Sequence, residues 1–197
     1  LIVLDLSTGD AFRILNGEHS TSVDPEFLPK VEGQILVNRD KTGKVSPWQV
    51  AADGIALSPD GKVLYFCPLS SRHLYSIETD LIFDKNIKAN DLEKHVKDWG
   101  EKGASDGMAT AVDGTIYAGD YENNSIRSIN PDGTMETIIH GPQILWPDTL
   151  SIGPDKYLYF TSNQLQRQSG FHYGKDLREK PYSLFRVLID KEPANQN

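Results

Sequence analysis

The chain carries a single cysteine, Cys67, which excludes an internal disulfide and any zinc site built from paired cysteines. It has little positive charge: 20 Lys and Arg stand against 28 Asp and Glu, a net charge of −8. Neither nucleic acid nor an acidic membrane surface is drawn to such a field, so neither is an expected partner. Apolar runs are short. The opening one, Leu1-Ile2-Val3-Leu4, is too brief for a signal-peptide core or a membrane span. The five histidines show no metal-ligand spacing, and neither a serine nucleophile elbow nor a phosphate-cradling glycine loop occurs.

What the sequence does contain is a phrase repeated three times. The copies are Asp53-Gly54-Ile55-Ala56-Leu57-Ser58-Pro59-Asp60-Gly61, Asp106-Gly107-Met108-Ala109-Thr110-Ala111-Val112-Asp113-Gly114 and Asp148-Thr149-Leu150-Ser151-Ile152-Gly153-Pro154-Asp155. An aromatic-ended strand follows each: Val63-Leu64-Tyr65-Phe66, Thr115-Ile116-Tyr117 and Tyr157-Leu158-Tyr159-Phe160. Repetition at this period marks one supersecondary unit stacked on copies of itself. The second copy reads as a meander, with strands over 107–112, 115–119, 125–130 and 135–139 broken by Asp113-Gly114 and Asn130-Pro131-Asp132-Gly133 turns. Four antiparallel strands per repeat define an all-β fold, a β-propeller.

At roughly 40 to 50 residues per blade, 197 residues supply about four blades in one domain, so the chain reads as the C-terminal part of a longer propeller. The wider first interval points to an insert, and the pattern of residues 90–99 predicts a short helix there. Residues 164–181 predict a long polar and aromatic loop over the channel entrance. Cys67, after Tyr65-Phe66, is expected as a buried strand thiol, and Trp48, Trp99 and Trp146 as packing anchors between blades, with walling a pocket the alternative for Trp146-Pro147 immediately before Asp148.

In a propeller the innermost strands line the channel. Asp53, Asp106 and Asp148, each heading such a strand, should therefore converge near the axis. Carboxylates gathered there raise one another's pKa or demand a counter-charge, which a hard cation such as calcium would supply. The alternative is that they cap backbone N–H groups at blade junctions, as Asx residues do; Asp60, Asp113 and Asp155 are turn residues of that kind. Thr149 and Asn163 are placed to face the same mouth, and Arg72-His73 is a weaker candidate for it.

Several of these phrases, with Leu64-Tyr65-Phe66-Cys67-Pro68, Ala104-Ser105-Asp106-Gly107-Met108-Ala109, Trp146-Pro147-Asp148-Thr149-Leu150 and Leu184-Phe185-Arg186-Val187, resemble the Yellow and major royal jelly protein family. That resemblance implies a six-bladed, usually secreted propeller whose members serve in pigment pathways, food storage or small-ligand binding. Some are credited with dopachrome conversion, and some hold biogenic amines in the channel through a threonine and an asparagine, positions that Thr149 and Asn163 match here together with Asp148. The chain departs from the insect pattern in lacking its disulfide cysteines, in carrying Asp53 and in having Leu165 where an aromatic follows the asparagine.

A more distant similarity is to gluconolactonase-like propellers, which bind a divalent cation at the axis. It implies Asp53 and Asp106 as metal ligands, with Asp106 also the base. Two functions stay open: a small-molecule binding protein using Asp148, Thr149 and Asn163, or an enzyme, a metal-dependent lactonase or a tautomerase, with Asp106 or Asp148 moving a proton.

Overall fold

A computed structural model describes residues 1–84 and 86–194 of the chain. The first quarter forms three hairpins: β1 (Ile2–Leu4) with β2 (Ala11–Arg13), β3 (Lys30–Val31) with β4 (Gln34–Ile35), and β5 (Val37–Arg39) with β6 (Val45–Pro47). Three larger antiparallel sheets follow. The first contains β7 (Ala52–Leu57), β8 (Val63–Pro68), β9 (His73–Glu78) and β10 (Lys97–Glu101), and the second β11 (Met108–Thr110), β12 (Ile116–Asp120), β13 (Ser125–Ile129) and β14 (Met135–His140). The third has β15 (Pro147–Ile152), β16 (Tyr157–Ser162) and β17 (Ser183–Leu188). The strands run outward in sequence order within each sheet, and the inner strands β7, β11 and β15 neighbour one another. This is the expected propeller of antiparallel meander blades.

Turn chemistry sets the hairpins. In Asp113-Gly114, the glycine adopts a φ of +86°, open to glycine at no steric cost, while Asp113 Oδ1 accepts the Thr115 N–H at 3.0 Å. Asp60 Oδ1 likewise accepts the Ser58 hydroxyl at 2.7 Å, and Asp155 Oδ2 the Tyr159 hydroxyl at 2.6 Å. The second aspartate of each phrase is thus a turn residue, as expected.

Blade faces are glued by apolar clusters. Cys67, Leu74, Met108, Ile116, Ala118 and Ile129 join the first two blades, and Ala111, Tyr117, Ile126, Leu150, Leu158 and Phe160 join the second and third. Cys67 is wholly buried in this seam, the strand thiol anticipated, and burial raises its pKa.

The helix expected over 90–99 needs correction. Ala89–His95 is a 3-10 helix, and Lys97–Glu101 is instead the outer strand of the first blade. Lys97 and Asp98 pair with Ser76 and Tyr75, Trp99 Nε1 donates to Ser76 Oγ at 2.9 Å, and Lys97 Nζ lies 3.3 Å from the Trp99 ring centre. Local capping residues suggested a helix; pairing with a distant strand edge prevailed. The long loop at 164–181 contains two 3-10 turns, Leu165–Arg167 and Ser169–Phe171.

Candidate axial site

Two inner strands carry the same irregularity. Between Ala52 and Ile55 the chain advances three residues while β8 advances two, from Pro68 to Phe66; between Pro147 and Leu150 it does so against Ser162 and Phe160. Each is a β-bulge, a device that re-aims side chains, and each falls on the first aspartate of the phrase, Asp53 or Asp148. Asp106 lies two residues before the start of β11. All three therefore sit at the same end of neighbouring inner strands.

Close stacking of those strands requires glycine. A Cβ on Gly54 would lie 2.5 Å from the Asp106 carbonyl oxygen, and one on Gly107 would lie 1.9 Å from that of Asp148. The residue after each aspartate thus admits the backbone of the next blade's aspartate. At the corresponding place in the third copy stands Thr149, which is exposed.

The outcome is a cavity of about 220 Å³ lined by Asp53, Asp106, Asp148, Thr149 and their strand neighbours, with no lysine or arginine among the described residues of its wall. Asp106 is the central group. Burial, opposed by a hydrogen bond from Trp146 and reinforced by the charges of Asp148 and Asp53, pushes its carboxyl up to about 7. Desolvation also raises Asp53, against the effect of a hydrogen bond with Asp106 and with the added push of the Asp148 charge, although Asp53 keeps more contact with solvent.

Asn163 does not line the cavity. Its Nδ2 donates to Asp148 Oδ2 at 2.5 Å while its Oδ1 accepts the Leu165 N–H at 2.8 Å, so it fixes Asp148 rather than facing a ligand. Arg72 and His73 go elsewhere: Arg72 forms a two-pronged pair with Glu122 at 2.7 and 2.8 Å, and His73 meets Asp98 at 2.9 Å.

Trp146 was expected as a packing anchor, with Trp146-Pro147 as a candidate pocket wall. It is fully buried, yet its Nε1–H donates to Asp106 Oδ2 at 2.8 Å, and its backbone holds a φ of +61°, strained for a bulky residue. Its ring stacks on Tyr121 with centres 4.0 Å apart and meets Trp48 edge-on at 5.6 Å; Trp48 in turn meets Phe171 edge-on. The sequence signal was Trp146-Pro147 directly before Asp148, but its partner Asp106 lies forty residues away. Replacing Trp146 with phenylalanine keeps the ring and deletes the donor. The Asp106 carboxyl should then titrate higher still, a shift measurable by NMR of the carboxyl carbon.

Calcium fits this wall only in part. Carboxylates are the right donors, but a calcium ion takes six or more oxygens, and among the described residues no three His, Cys, Asp or Glu side chains are arranged to hold a metal.

Stacked antiparallel blades, with an acidic cavity at the ends of their inner strands, define a propeller. The chain belongs to the Major royal jelly protein family, whose model matches residues 1–189. No curated protein matches the sequence. Among solved structures, a gluconolactonase from Xanthomonas campestris is similar at 14% identity over 88% of this chain and 56% of its own, with a TM-score of 0.52. A luciferin-regenerating enzyme is similar at 15% identity over 93% and 67%, TM-score 0.53, and virginiamycin B lyase from Staphylococcus aureus at 15% over 92% and 56%, TM-score 0.50. At these identities the likeness concerns the fold, and the chain spans little more than half the length of the gluconolactonase and the lyase.

Proposed function

We propose that this protein binds a small cationic molecule, an aromatic amine or one similar, at its axial site. The observation that carries the reading is a cavity faced by three carboxyl groups from equivalent positions of three blades, with no basic side chain among the described residues of its wall. Uncompensated acids gathered this closely favour an opposite charge. Asp106 supplies a half-buried charge, Asp148 a second one oriented by Asn163, and Thr149 an exposed polar rim. Family membership supports a site outside the cytosol.

A second reading follows from one property of Asp106. A carboxyl that titrates near 7 is suited to take and return a proton at neutral pH, which supports a lactone hydrolase or a tautomerase with Asp106 as base. No step is routed through a metal.

A titration tests the amine reading. With tyramine as probe, calorimetry should show saturable binding that strengthens as pH rises through 7 and releases a proton, because an ammonium ligand favours ionised Asp106. Asp148→Asn and Asn163→Ala should weaken it about tenfold or more, the order expected for losing a charge-assisted contact or its support. Calcium should leave the melting temperature unchanged. No tyramine binding, together with a calcium-dependent rise in melting temperature lost in Asp106→Asn, would overturn the amine reading.

A further inference from the structure

Three blades meet at one buried side chain. Tyr121 directly follows β12 in the second blade and is wholly buried. Its backbone N–H donates to the Ala104 carbonyl at 3.0 Å, which fixes the run Ala104-Ser105 that leads into Asp106. Its hydroxyl donates at 2.7 Å to the carbonyl of Leu69, the residue after β8 of the first blade. Its ring lies nearly parallel to that of Trp146, the residue before β15 of the third blade, with an interplanar angle of 7° and centres 4.0 Å apart. Leu69, Ala104, Tyr121 and Trp146 thus belong to one apolar cluster.

These contacts bear on a single hydrogen bond. The Trp146 Nε1–H reaches Asp106 Oδ2 at 2.8 Å, and such a bond weakens steeply once its donor swings away from the acceptor. The Trp146 backbone does not secure that aim by itself, because a φ of +61° is one that a bulky residue keeps only where its surroundings impose it. Tyr121 closes one face of the indole, so the ring cannot turn about its stem without striking the tyrosine. Trp48 meets the indole edge-on at 5.6 Å but is itself partly exposed. The tyrosine, buried and tied by its hydroxyl to Leu69, is the stiffer support.

We infer that Tyr121 is a positioning residue of the axial site, pinning the Trp146 indole so that its N–H stays on Asp106 and anchoring that arrangement to the first blade through Leu69. The inference rests on Asp106 being the central group of the site that the proposed function uses. Leucine at position 121 would offer neither a flat face to the indole nor a hydroxyl to Leu69. Phenylalanine would keep the face.

The test reads the indole directly, by NMR of the isotopically labelled 197-residue chain at pH 8. Three indole N–H signals are expected, one for each tryptophan, and Trp146→Phe identifies the one that belongs to Trp146. That signal should exchange slowly with water, and Asp106→Ala shows where it falls once the acceptor is gone. Tyr121→Leu should carry it most of the way to that position and speed its exchange about tenfold or more, whereas Tyr121→Phe should shift it much less. Ile129→Ala opens a void in the seam between the first two blades, in a cluster that does not include Trp146. It should lower the melting temperature and leave the signal in place. Tyramine affinity should follow the indole, falling about tenfold in Tyr121→Leu and much less in Tyr121→Phe.

A Trp146 signal unmoved by Tyr121→Leu, or moved as far by Ile129→Ala, overturns the inference. So does rapid exchange of that signal in the unaltered chain, a measurement that decides the matter even if Tyr121→Leu fails to fold. Indole shifts as stated, with no tyramine bound by any variant, would uphold the positioning role and remove the amine reading instead.

Discussion

Gly107→Ala is expected to lower the stability of this protein by at least about 3 kcal/mol, near the upper end for overpacking a tight interior. For a chain of this size that is a fall in melting temperature of roughly 10 °C. The reason is positional rather than conformational. Gly107 does not occupy the left-handed region, but an added Cβ would sit 1.9 Å from the Asp148 carbonyl oxygen and 2.9 Å from its carbon, both backbone atoms of the next inner strand. No rotamer change relieves that clash, so the second and third blades must part. Gly170→Ala is the control: nothing lies within 4 Å of its added methyl, and its melting temperature should barely move. Because parting the blades also separates Asp106 from Asp148, tyramine affinity should fall with stability. A Gly107→Ala protein that melts like the original would refute the close stacking of inner strands on which the axial site depends.

The part of this arrangement legible in the sequence is the part governed by local rules. Asp-Gly and Pro-Asp turns between short apolar runs marked the meander, and their recurrence marked the propeller. The same rules separated the two aspartates of each phrase, whose environments turn out opposite in the first two copies. Hydrogen bonds from Ser58 and Tyr159 hold Asp60 and Asp155 below the usual carboxylate range, whereas desolvation raises Asp53 and Asp106. Position in a repeat therefore carried chemical information that residue type alone did not.

What escaped was set by pairs far apart in the chain. The bulges at Asp53 and Asp148 exist only relative to the neighbouring strand, and the Trp146 hydrogen bond to Asp106 spans two blades. Asn163 illustrates a middle case. Its placement near Asp148 was readable from the repeat, but its role as the support of Asp148 follows from a hydrogen bond no pattern encodes.

Asp106→Asn is expected to stabilise the protein at pH 8, and by only about a third as much at pH 5. The sign follows from linkage. Asp106 has a folded-state pKa of about 7, above the value near 3.9 of an unfolded aspartate. Between those limits the folded state holds a proton that the unfolded state has released, so stability attributable to this group falls as pH rises, and the whole loss is present above 7. Asparagine removes the titration while its carbonyl oxygen can still accept the Trp146 N–H. After discounting for the site's partial solvent contact and for sharing charge with Asp53 and Asp148, the gain at pH 8 should be about 2 kcal/mol, or roughly 5 °C in melting temperature. The same substitution should abolish the pH dependence of tyramine binding and weaken it at pH 8, because the charge that costs stability in the empty site is the one that holds the cation. Thermal melts of both proteins across pH 5 to 8 check this directly. Parallel curves would show that Asp106 is ordinarily ionised and solvated, and would remove the physical basis for a cation-binding axial site. Curves that diverge with rising pH would identify a residue kept for function at the expense of the fold.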